Sequence, residues 1–113
     1  MVTNLILSSL FLLCQAVHAQ SSESPLRGAP DCGSWVSPST DYEELKNKSW
    51  LVGYLSGINI GFRIEQKRDF NYFSTRITNE QIYLWMNKYC RENPLSNVAF
   101  GTGDLYLELM KPK

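Results

Sequence analysis

The chain carries three cysteines, Cys14, Cys32 and Cys90, and their placement constrains the fold more than any other feature. Residues 1–19, MVTNLILSSLFLLCQAVHA, hold an apolar run from Leu5 to Leu13 and then Val17-His18-Ala19, with small residues at the two positions that signal peptidase reads. This is the pattern of a secretory signal, without the usual Lys or Arg at its start, and its apolar run is too short to span a bilayer as a mature helix. Lipidation of Cys14 is disfavoured because Leu13 is too bulky for the small residue that processing needs there. Cleavage after Ala19 leaves 94 of the 113 residues and removes Cys14. Cys32 and Cys90 then form a pair in a compartment that permits oxidation, which predicts one disulfide.

A mature chain of that length supports one hydrophobic core and not two. Eleven basic and eleven acidic residues balance, so no net field attracts nucleic acid or an anionic membrane. The single histidine, His18, lies in the signal, and its removal takes away the commonest general base and transition-metal ligand. With both remaining cysteines bonded, the usual nucleophile and base pairs cannot be assembled. No close Cys or His pair suits zinc, and Gly101-Thr102-Gly103-Asp104 lacks the lysine that should follow in a phosphate-binding loop. The expectation is a protein that is not an enzyme, that has no cofactor or metal, and that does not insert into a membrane once the signal is gone.

Residues 20–31 are rich in Ser, Pro and Gly and read as a flexible arm preceding a helical domain over 32–113. Pro38-Ser39-Thr40-Asp41, followed by Glu43 and Glu44, supplies turn and cap residues for a short helix over 42–47, either separate or running into the next. That next helix, 49–62, contains WLVGYLSGINIG, with Gly53, Gly57 and Gly61 four residues apart. Each glycine inside a helix costs about 1 kcal/mol relative to alanine, so three in register call for an offsetting gain. At 100° per residue, Leu51, Leu55, Ile58 and Phe62 form one apolar face, and Trp50, Tyr54 and the glycines form a second. This predicts a central helix packed on both faces, the glycine stripe being a packing seam or, alternatively, a binding groove. The segment 63–76 mixes charge with Phe70, Tyr72 and Phe73 and reads as a long loop, a place where binding often sits.

Thr78 and Gln81 form a capping-box pair before Ile82, Trp85, Met86, Tyr89 and Cys90, which recur at helical spacing, and Asn93-Pro94 ends that helix. A last helix over 96–110 places Val98, Leu105 and Leu109 on one side, although alternation at Leu105, Leu107 and Leu109 also admits a strand. Asn47-Lys48-Ser49 matches a glycosylation sequon. The fold class expected is mainly α, a small single-domain bundle of about four helices with one disulfide.

The signal, the cysteine shortly before the first helices, the Trp50-Leu51-Val52-Gly53-Tyr54-Leu55-Ser56-Gly57 helix and the capped helix ending in Tyr89-Cys90 together resemble the HdeA/HdeB-like small periplasmic proteins over about residues 32 to 110. In that family one disulfide ties the segment before the core helix to the end of a later helix, which the resemblance carries to Cys32 and Cys90. Founding members are acid-stress chaperones that dimerise near neutral pH and expose apolar surface in acid. A similar small, cysteine-linked helical layout occurs in periplasmic immunity proteins against type VI secretion toxins. The resemblance therefore implies a periplasmic protein-binding protein, chaperone-like and possible as a homodimer, with an immunity or inhibitor role as the alternative. Extracellular release is the other destination the signal allows. The candidate binding or packing surface comprises Trp50, Tyr54, Gly53, Gly57, Gly61, Phe70, Tyr72 and Phe73. Two features depart from the acid chaperones: the longer, aromatic 63–76 segment, and glycines in a C-terminal segment that is strongly charged in that family.

Overall fold

The computed structural model describes residues 26–67 and 77–111, so the signal and the aromatics Phe70, Tyr72 and Phe73 lie outside the described residues. Among these, four helices follow in order: α1 (Cys32–Val36), α2 (Asp41–Gln66), α3 (Asn79–Glu92) and α4 (Val98–Met110). Each starts at a side chain that accepts from a backbone N–H left free by the first turn: Asp31 from Ser34, Thr40 from Glu43, Thr78 from Gln81 and Asn97 from Phe100. At α3 the box is reciprocal, as expected, since the Gln81 side chain also accepts from the Thr78 N–H.

The segment 42–47 runs into 49–62, one of the two expected arrangements, as one helix of 26 residues, which also continues past Phe62 to Gln66 and so makes the first four residues of the expected 63–76 loop helical. No proline interrupts it, and Asp41, Glu43 and Glu44 in its first turn complement the helix dipole. It ends at Lys67, whose φ of 49° is the left-handed conformation common just past a helix terminus. The C-terminal segment is helical and not a strand. Leu105 is buried, Leu107 is exposed and Leu109 is half-buried, so the first and last share a face one turn apart while the middle one points away.

The core gathers Cys32 and Trp35 of α1, Leu51 and Leu55 of α2, Ile82, Met86 and Cys90 of α3, and Val98, Leu105 and Tyr106 of α4. Helix α2 lies chiefly on α4, while α3 lies between α1 and α4. Two polar groups enter this core with partners: the Thr102 hydroxyl donates to the Val98 carbonyl, and the Tyr106 hydroxyl reaches Asn59 Oδ1 at 3.4 Å. Cys32 and Cys90 are disulfide-bonded, joining the start of α1 to the end of α3 across 58 positions of sequence. The backbone laces the same corner, because Cys32 N donates to the Ser96 carbonyl and Val98 N to the Pro30 carbonyl. Of the segment read as an arm over 20–31, the described part from Leu26 onward thus includes a buried Pro30 whose carbonyl is bonded to α4.

Helix α2 is not packed on two faces by the described residues: Leu51 and Leu55 are fully buried and Ile58 and Phe62 pack against the core, but Gly53, Gly57 and Gly61 are exposed. A Cβ built on any of those three glycines meets nothing within 4 Å. The close approach occurs at Gly101 of α4, where a Cβ would lie 2.7 Å from Met86 Sδ and from Tyr89 Cδ1. Packing requires a partner, and α4 takes up the face of α2 that carries the leucines.

Candidate functional site

The surface that the sequence singles out is the outer side of α2. From Ser49 to Phe62 the helix carries no charged residue. Its glycine stripe leaves a smooth strip of helix surface, beside which Ile60 and Ile64 stand 54% and 72% exposed. Charge-free helix surface with exposed branched apolar residues suits contact with another macromolecule. Trp50 and Tyr54 border the strip, with ring centroids 4.9 Å apart. Both are half-buried, and the Trp50 indole N–H donates to the Arg27 carbonyl, so this border is also where the preceding chain lies down. The structure therefore brings Trp50, Tyr54, Gly53, Gly57 and Gly61 to one stretch of surface.

A second feature lies on the other side of α2, where its first turns meet α1 and α3. A cleft of about 290 Å³ opens between Trp35 of α1, Asn47 and Lys48 of α2, and Tyr83, Asn87 and Arg91 of α3. The three α3 residues recur every four positions and so line one face. Trp35 is fixed there by its indole N–H, which donates to Asn87 Oδ1 at 2.8 Å, and its ring meets that of Tyr83 at 6.3 Å between centroids. Lys48 pairs with Glu44 one turn earlier, and its Nζ lies 5.2 Å from the Tyr83 ring centroid, a cation–π contact.

Asn47 is 2% exposed, and its amide nitrogen donates to both the carbonyl and the hydroxyl of Ser34 at 3.1 Å. The nitrogen that a glycan would occupy at the sequon is thus engaged inside the folded chain. Ser34 in turn donates its hydroxyl to Glu43, whose other oxygen accepts from the Ser39 N–H. The Ser39 N–H foremost, and then the Ser34 hydroxyl, hold the Glu43 carboxyl below its ordinary value. The joint between α1 and α2 is therefore a chain of polar contacts ending on one carboxylate.

Compared with protein-family models, with curated proteins and with solved structures, the chain matches none. The site must speak through its own chemistry. Among the described residues no group of His, Cys, Asp or Glu is placed to hold a metal ion, and no helix is long and apolar enough to cross a membrane.

Sequence reading missed the cleft. Its residues come from three separated segments, and each has an unremarkable local reading as a cap neighbour, a helix surface residue or part of a sequon. One signal was available: Asn47 sits within about 40° of Leu51 on the helix circumference, so a polar residue shares the buried side of an amphipathic helix.

Proposed function

We propose that this chain is an exported, periplasmic protein-binding protein, related in kind to the HdeA/HdeB-like acid-stress chaperones, which holds apolar segments of client proteins against the outer side of α2. The observation that carries this reading is the charge-free surface from Ser49 to Phe62 with Ile60 and Ile64 exposed beside it. The bridge from Cys32 to Cys90 is the arrangement the resemblance implies, and it keeps α1 tied to α3 when the rest of the fold loosens. Strong acid would remove the charge on carboxylates that the fold holds as anions, of which Glu43 at the α1–α2 joint is one, and with it the stability those charges contribute.

A second reading, an immunity or inhibitor protein bound to one toxin or enzyme, is favoured by a different aspect of the same surface. The strip is exposed in the folded chain, so a partner could bind it without any unfolding.

The test is suppression of aggregation of an acid-labile client near pH 3, below the reference carboxylate pKa of about 4, set beside affinity capture at neutral pH. Gly57→Lys and Ile60→Lys place a charge on the strip that persists at both pH values, at positions where the fold leaves room. Protection in acid that both variants abolish supports the chaperone reading. A stoichiometric complex with one partner at neutral pH, without acid protection, replaces it with the immunity reading. Protection that survives both substitutions removes the strip as the binding surface.

A further inference from the structure

The α1–α2–α3 cleft carries an inference independent of the outer surface of α2. On the helix circumference Lys48 lies roughly opposite the Gly53–Gly57 strip and Asn47 about 80° to 120° from it, so one surface can fail without the other.

What marks the cleft is an acceptor with nothing to accept. Asn47 Oδ1 is buried and has no hydrogen-bond partner, although Asn47 itself lines the cleft. Its orientation is settled by the neighbouring bonds: the other end of the amide faces the Ser34 carbonyl, which requires a donor there and so leaves the oxygen as the unmatched atom. A buried carbonyl oxygen without a donor is destabilising, and such groups are rare in folded proteins.

The opposite wall supplies the complementary chemistry. Asn87 spends its Oδ1 on Trp35, and among the described residues its amide nitrogen donates to nothing. Arg91, one turn further along α3, is exposed and has no ion-pair partner among the described residues, whereas Lys48 is already neutralised by Glu44. The wall of α3 therefore offers a guanidinium and an amide N–H on one face, a set that matches a carboxylate. Trp35 and Tyr83 provide an apolar surface beside it. The volume, about 290 Å³, lies at the small end of ligand pockets and suits one residue and not a folded segment.

We propose that this cleft binds an apolar residue that bears a free carboxylate and an adjoining N–H, supplied as the C-terminal residue of a peptide or as a free N-acyl amino acid. The N–H satisfies Asn47 Oδ1, the carboxylate meets Arg91 and the Asn87 amide, and the side chain rests on Trp35 and Tyr83.

The experiment is a titration of the full, disulfide-bonded chain, labelled with nitrogen-15, using N-acetyl-leucine, N-acetyl-leucinamide, and a five-residue alanine peptide ending in leucine with a free or an amidated terminus. Binding is followed at the Trp35 indole N–H and the Asn87 side-chain amide. Both carboxylate ligands are expected to shift these signals, with affinity lost by roughly tenfold or more in their amides and in Arg91→Ala, as befits one charge-assisted contact. Lys88→Ala, on an exposed position of the same helix, should bind as the parent does. Arg91 is exposed, so its variant should keep the parent's dispersion of signals and report on binding alone. A peptide that binds more tightly than N-acetyl-leucine identifies a chain terminus as the source, and the reverse order identifies the free acyl amino acid. Equal response to acid and amide, shifts confined to the outer side of α2, or no shift in any titration overturns the proposal.

Discussion

Helices α2 and α4 both carry glycines within their interiors, and Gly101 of α4 does the opposite of the three in α2. Helix α2 has three in perfect register, Gly53, Gly57 and Gly61, and they touch nothing. Helix α4 has Gly101, which is buried, and a Cβ there would collide with Met86 and Tyr89 of α3. Regular spacing marks the first set, yet Gly101, whose neighbour Gly103 also meets nothing, is the one at which two helices come into close contact. A stripe of glycines reports only where side chains are missing. Whether that absence is used depends on what stands opposite, and opposite Gly101 stands the same stretch of α3 that carries Cys90.

The strongest test of this contrast is reduction of the disulfide, because the α1, α3 and α4 side of the molecule depends on it and the outer side of α2 does not. A loop of this length contributes about 4 kcal/mol in the chain-entropy model, so urea titration with and without reductant should show a loss of that order. Retained stability after reduction would mean that packing and the backbone bonds from Cys32 to Ser96 and from Val98 to Pro30 suffice to hold the buried corner.

Next in size is Gly101→Leu, which forces a side chain between α3 and α4 and should destabilise by about 1 to 3 kcal/mol. For a domain of this size each kcal/mol lowers the melting temperature by roughly 4 to 8 °C, which circular dichroism resolves easily. An unchanged melting temperature would show that α3 and α4 separate at little expense and would erase the contrast between the two helices.

Gly57→Ala should move in the opposite direction. With open space around the new methyl group, the helix gains propensity and the protein should become more stable by up to about 1 kcal/mol. A decrease would place a packing partner on the strip, such as a second copy of the chain, and concentration-dependent melting would then confirm it.

The smallest effect is a change in pH slope. Glu43 is held below its ordinary value, so the stability it contributes is present above the unfolded pKa of about 4.3 and is lost as pH falls through the lower folded value. Glu43→Gln keeps one acceptor oxygen but no charge. The difference in melting temperature between parent and variant should therefore be largest at neutral pH and shrink toward zero in acid. A difference that does not change with pH would mean that the α1–α2 joint takes no part in any acid response.

Much of the fold is written in local sequence. Thr40 and Thr78 are legible as caps because an N-cap depends on a side chain and a backbone N–H three residues away. The stripe from Ile82 to Cys90 is legible for a similar reason, since periodicity needs no knowledge of the partner. The cleft was not legible. Trp35, Asn47 and Arg91 come from three separated segments, held together by the disulfide that ties α1 to α3 and by the Asn47 bonds to Ser34, and no local pattern encodes that meeting.

The sequence by itself determined the helical class, the capped starts of α2 and α3, the pairing of Cys32 with Cys90, and the leucine face of α2. Those follow from hydrogen-bond chemistry within a few residues and from the tendency of apolar side chains to leave water. Only the tertiary structure decided that the glycine face of α2 stays open, that Gly101 of α4 lies hard against Met86 and Tyr89 of α3, and that Asn47 keeps a buried oxygen without a donor. A glycine has no side chain to signal burial and an asparagine is at home on either side of a surface, so their roles are set by whichever element arrives beside them.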